Sequence, residues 1–295
     1  MGYSPRYHAA SLVAVFLALA VGILIGAGLG DNLVSSTEEN LRSSLEGDIE
    51  DARAEADDLQ VQLDRERAFS SRAYAALVGD RLDGERIGVM AFGDLPADLA
   101  ANVDAALEPT GAQLVEVGVV RRPPDLAALS SELGPKQAAA IQQDPAALEQ
   151  LGKVLGRQFA RGGGRLLRRI RENLFSRSSG EGGRLDGVIL VRAPVGELDA
   201  EDLANTTALE SGLTGGVADS GVTAVAVERS DASESSIRFF AQFDVATVDS
   251  IDLVSGRVAL VFALLGAEGS FGIKDSADSL LPELLSPSRG GAGSP

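Results

Sequence analysis

The stretch HAASLVAVFLALAVGILIGAGLG, His8 to Gly30, constrains this chain most, because Ala9 to Gly30 are 22 consecutive residues without a charge. As a helix the run is about 33 Å long at about 1.5 Å per residue, against a hydrocarbon core about 30 Å thick. A soluble core has no use for an N-terminal helix that is apolar on every face, so the run predicts a transmembrane helix over 9–30. A cleaved secretory signal is the rival reading, since the small residues Gly26, Gly28 and Gly30 resemble a signal peptidase site. The run exceeds the about 7 to 15 residues of a signal h-region, however, and only Arg6 and the amino terminus charge its flank, so a retained signal anchor is expected. Arg6, His8 and the amino group precede the span, whereas the first basic residue after it is Arg42. Residues 1–8 are therefore expected in the cytoplasm and the main domain outside, in a single pass. Gly22, Gly26 and Gly30 recur at the four-residue spacing that lets membrane helices approach closely.

From 31 to 80 the character changes to an acidic segment, with 13 Asp or Glu against 5 Arg and no proline. Leu45, Ile49, Ala52, Ala56, Leu59 and Leu63 fall at alternating steps of four and three, the a/d spacing of a coiled coil. A solvated single helix is the plainer reading of such charge. A short coiled coil next to a span with close-packing glycines makes a parallel homodimer, or a higher homo-oligomer, the simplest joint expectation.

Beyond Gly84, short β-branched runs alternate with helical segments, the pattern of an α/β domain over 84–285. IGVMAFG (87–93), AQLVEVGVV (112–120), GVILVRAP (187–194) and VTAVAVE (222–228) read as strands buried on both faces. The segments 94–109, 145–175 and 197–213 read as helices between them, so a Rossmann-like, mostly parallel sheet with right-handed crossovers is predicted. GRVALVFALLGA (256–267) is too short to span a membrane and reads as a buried helix or strand. Residues 286–295 read as a disordered tail.

Composition narrows the chemistry. A net charge of −17 argues against nucleic-acid binding. With no cysteine there is no Cys-His pair, and the single histidine, His8, sits beside the expected span on its cytoplasmic side, which leaves no Ser-His-Asp constellation to assemble in the main domain. AFGDLPADLAAN has one glycine where a dinucleotide fingerprint needs three. Asp244, Asp249 and Asp252 form the densest acidic group near predicted core, a pattern turns and caps explain more readily than catalysis. No enzymatic activity and no cofactor are expected. The segment 153–177 reverses the local charge, and Arg165, Arg168 and Arg169 form a candidate patch for anionic headgroups or an acidic partner, with a solvated, internally paired face as the alternative.

HAASLVAVFLALAVGILIGAGLG and DLVSGRVALVFALLGAEGSFG, with an acidic coiled-coil segment and an α/β region between them, resemble the actinobacterial copper transport outer membrane protein family over roughly residues 3–273. The resemblance implies copper transport or homeostasis at the cell envelope, with channel activity, and transfers no metal-binding residue. Copper favours Cys, Met and imidazole, and this chain has no Cys, one His and two Met, so copper is expected to be handled indirectly or by an oligomer, not at a high-affinity site. The outer-membrane location rests on the family name. A barrel needs alternating strands and aromatic girdles, whereas this chain has no Trp, three Tyr and an α/β pattern. The alternative is a structural envelope scaffold that binds a protein or glycan through its coiled coil and α/β domain; a carboxylate-dependent hydrolase is the third reading.

Overall fold

The computed structural model describes residues 5–180 and 182–283; within the first helix, the side chains at 5–7, 27–41 and 43 lie outside that description. Met1–Ser4 and the expected tail at 286–295 also fall outside it. The chain divides into two compact units, Met1–Phe69 and Ser70–Pro295.

The first unit is made from helix α1 (Pro5–Val78) as far as Phe69. Within it, the 19 residues His8–Gly26 are long and apolar enough to cross a membrane, and none is buried against the protein. Gly22 and Gly26 both have open space where a side chain would be; Gly30 lies in the helix but outside the described side chains. Leu45, Ile49, Leu59 and Leu63 are each about half exposed, and Ala52 and Ala56 are exposed beside them.

The second unit begins inside the same helix. Tyr74 and Val78 are buried in its core, and the Tyr74 hydroxyl donates to the Ala106 carbonyl. The acidic helix, expected to run to residue 80 before an α/β region from 84, thus already contributes core residues from Tyr74. Burial pushes the Tyr74 phenol well above its usual range.

The sheet follows. Its elements are β1 (Arg86–Phe92), α2 (Ala97–Leu107), β2 (Gln113–Val120), α3 (Leu126–Ser131), α4 (Pro135–Gln143), α5 (Pro145–Arg161), α6 (Arg165–Leu174), β3 (Phe175–Ser179), β4 (Gly187–Arg192), α7 (Ala200–Ala218), β5 (Thr223–Val227), α8 (Ile237–Phe240), β6 (Ala246–Val248), α9 (Val254–Leu264) and β7 (Ser270–Phe271). Among the described residues the strands form one sheet in the order β3-β2-β1-β4-β5-β6-β7. All neighbouring pairs are parallel except β2 with the edge strand β3. This is the mostly parallel α/β sheet read from the apolar runs, with an antiparallel edge.

Period-two alternation divides the strands between two cores. Ile87, Val89 and Ala91 join Tyr74, α2 and α9 on one face. Met90 and Phe92 join α5, α6 and α7 on the other. The apolar run at 256–267 is largely the buried helix α9. The long segment 145–175 does not form one helix. It breaks at Gly162–Gly164, where Gly162 and Gly163 have φ near +71° and +77°, a conformation costly to other residues.

Helices α5 and α7 pack through glycines on both sides. A side chain at Gly152 would meet the Leu209 carbonyl at 2.8 Å, and one at Gly156, Gly212 or Gly216 would collide with backbone of the facing helix. Four glycines at four-residue spacing thus bring the two backbones together.

Candidate functional site

Open α/β sheets bind ligands beyond the carboxyl ends of their strands, where the strand order reverses. Here that point lies between β1 and β4, and the chain fills it with its own side chains. Arg122, two residues past β2, sends Nη1 to the carbonyls of Ala193 and Pro194 at 3.0 Å each. Its Nε and Nη2 donate to Glu210 Oε1 on α7 at 2.8 and 2.6 Å. Arg192, ending β4, donates from Nε to Glu210 Oε2 at 2.8 Å and lies 4.3 Å above the Phe239 ring. The Glu210 and Arg122 side chains are only 2% and 8% exposed.

Gly93 follows β1 with φ near +85°, and a side chain there would meet Arg122 Nη1 at 2.8 Å. In a dinucleotide-binding sheet a glycine at this turn admits a pyrophosphate. In this chain it admits a guanidinium. The single-glycine motif AFGDLPADLAAN therefore builds a tight turn and a helix start, not a phosphate cradle.

Beside this triad a recess of about 330 Å³ is lined in part by Asp98, Arg192, Glu228, Arg229, Asp231 and Glu234. Arg229 binds Asp231 through two nitrogens and also reaches Asp98 in the first turn of α2. The hydrogen bond from Arg229 lowers the carboxyl pKa of Asp231, and the same contact raises that of Arg229. Buried Glu228 accepts from the Ser235 and Ser236 hydroxyls, the Ser236 amide and Lys274 Nζ. Apart from Glu234, each charge named in the recess is thus answered locally, which suits a rigid surface better than a site with a group held free to react.

The three aspartates singled out in the sequence do not converge. Asp249 accepts from the amides of Ile273 and Lys274 at 2.9 and 3.0 Å, and Asp252 accepts from the Ser230 amide and hydroxyl. Both tie loops together. Asp244 lines a separate recess of about 250 Å³ near Glu268. Among the described residues no group of three or more His, Cys, Asp or Glu is placed to hold a metal ion.

The basic segment is largely paired. Lys153 and Arg157 reach Asp219, Arg161 donates to the Ser220 carbonyl, and Arg171 meets buried Glu116 at 2.8 Å. On α6, Arg169 lies 3.9 Å from Glu132, whereas Arg165 and Arg168 are exposed with no ion-pair partner among the described residues. Arg168 lines a cavity of about 470 Å³ with Arg171 and the glycines at 162–164.

Sequence reasoning missed the triad because Arg122, Arg192 and Glu210 come from three elements, with Arg122 and Glu210 separated by 88 residues. The one signal is Glu210 itself, a charge on the buried face of α7 between Leu209 and Leu213.

Comparison with known proteins gives two findings. A family model described as copper transport outer membrane protein, MctB, matches residues 3–282. The proteins called copper transporter MctB in Mycobacterium bovis and Mycobacterium tuberculosis are each 33% identical over 109 residues, covering 37% of this chain and 34% of theirs. The match thus spans about a third of the length of these curated relatives.

Proposed function

The chain belongs to the family of copper transport outer membrane proteins, matched from residue 3 to 282, and from that premise we propose that it takes part in copper transport or copper homeostasis at the cell envelope. The observation that carries the reading is the unburied apolar helix His8–Gly26 in a chain whose family is named for transport. The helix holds the protein in a membrane by a single pass, with the N-terminus inside and the acidic α/β domain outside.

Copper is cargo in this reading, not a resident cofactor. Its preferred donors are thiolate, thioether and imidazole. The chain has no Cys, its one His lies at the start of the apolar helix, and Met90 is fully buried in β1. The protein therefore acts on copper through its assembly or through a partner.

The test is cell-associated copper, measured by elemental analysis in a strain lacking the gene and in the complemented strain, both grown with added copper. Copper should rise on deletion and return on complementation. Unchanged copper overturns the transport reading.

A specific observation favours a second reading. The switch-point crevice is occupied by Arg122 and Glu210, and most charges of the neighbouring recess are paired within the chain, so this end of the sheet offers a partner a surface more readily than it offers a small molecule a pocket. In that reading the protein is an envelope scaffold that meets a protein or glycan, and exposed Arg165 and Arg168, with Arg169, present cations to an anionic partner.

A further inference from the structure

The face of α1 from Leu45 to Leu63 is apolar, exposed and about 27 Å long at about 1.5 Å per residue. Ile49, Ala56 and Leu63 take the a positions of a heptad and Leu45, Ala52 and Leu59 the d positions. Leu45 at d with Ile49 at a is the pairing that suits a two-stranded coil. The flanking positions then follow from the sequence. Glu46, Arg53, Gln60 and Arg67 fall at e, and Asp48, Glu55, Gln62 and Phe69 fall at g.

These flanks distinguish the two possible orientations of a second copy. In a parallel, in-register pair each g residue faces the e residue five positions later on the other helix, and such contacts set orientation. Asp48 then faces Arg53, Glu55 faces Gln60 and Gln62 faces Arg67. That is one attractive charge pair on each side of the coil and no repulsive pair.

An antiparallel pair that keeps the whole seam places Leu45 opposite Leu63 and Ile49 opposite Leu59. It sets g against g and e against e, so Glu55 meets Glu55 and Arg53 meets Arg53. Among the described residues neither Asp48 nor Arg53 has an ion-pair partner within its own chain, so both are available across an interface. At the next a/d positions, Glu66 and Ser70 replace apolar residues, and the seam stops where the first unit ends.

We propose that the Leu45–Leu63 face binds a second copy of this chain in parallel and in register, with Asp48 of each helix paired to Arg53 of the other. The proposal deepens the membrane-anchored reading and rests on it only in that two N-terminal anchors in one membrane bring the faces together; it does not require copper as cargo.

The chain contains no cysteine, so one introduced thiol reports a single position. In membranes carrying the full chain, Leu59→Cys should give a covalent dimer with a short bismaleimide, and Val61→Cys, on the outer face, should give little. When differently tagged Leu45→Cys and Leu63→Cys chains are expressed together, only like-with-like products should appear. A Leu45–Leu63 product in their place overturns the parallel arrangement.

Asp48→Arg should lower the Leu59→Cys dimer yield roughly fivefold, since each exposed pair contributes under about 1 kcal/mol and two turn from attractive to repulsive. Adding Arg53→Asp should restore it, and failure to restore overturns the role of this pair. The unsubstituted chain with a fluorescent C-terminal label should bleach in two steps per spot. One step overturns the dimer whatever the cysteine variants do, and it leaves the copper measurement to decide the transport reading separately.

Discussion

Glu210 holds two guanidinium groups on one buried carboxylate, and the whole carboxyl end of β1 and β4 is arranged around it. Removing one partner of a buried ion pair costs more than the pair itself contributes, because a charge is left in a low-dielectric site without compensation. Glu210→Ala leaves both Arg122 and Arg192 in that state and is expected to destabilise the domain by about 3–5 kcal/mol. Arg122→Ala leaves Glu210 still answered by Arg192, so its loss should be smaller. Chemical denaturation of the two variants beside the parent checks the order, and an equal loss for both would show that packing around Arg122, not charge, sets the stability of the crevice. The same residues explain what lies beyond pattern reading: a charge pair across 88 residues of sequence leaves no periodic trace, although it fills the switch point between β1 and β4 with the chain's own side chains.

At the scale of elements, the contact between α5 and α7 is built on absent side chains. Gly156→Ala and Gly212→Ala each place a methyl group against the facing backbone, where neither helix can yield without separating. Each should cost about 1–3 kcal/mol, the usual range for an overfilled core. Gly196→Ala, at an open position with no neighbour in reach, should be nearly neutral. Thermal unfolding of the three variants decides the matter, and a neutral Gly156→Ala would mean that the helices can part. Much of the sheet was legible in sequence: the runs at 87–93, 112–120, 187–194 and 222–228 are the strands β1, β2, β4 and β5, because strands covered on both faces must be apolar throughout. The polar edge strand β3 and the short β6 and β7 carry no such signature, since an edge is exposed and two or three residues show no period. The close-packing spacing noted at Gly22, Gly26 and Gly30 passed unnoticed at Gly152, Gly156, Gly212 and Gly216, where polar neighbours hide it.

For the whole molecule, the distribution of charge sets the expected topology. The residues before the apolar helix are basic where charged, and the first basic residue after it is Arg42, so by the preference of cytoplasmic flanks for Lys and Arg the bulk of the chain is expected outside. A reporter active only in the cytoplasm, fused after Pro295, should be silent, and the same reporter fused before Met1 should be active; activity at the C-terminal end would reverse the orientation. Sulphur is also unevenly placed. Copper ions that change valence in an oxygenated envelope generate oxidants, whose first targets in a protein are exposed thiols and thioethers. The α/β domain has no thiol, and its only thioether, Met90, is sealed between the central strand and the helices behind it. A domain so built is expected to keep its sulphur intact where copper cycles, and mass spectrometry after exposure to copper and ascorbate should find Met90 unoxidised while the chain stays folded.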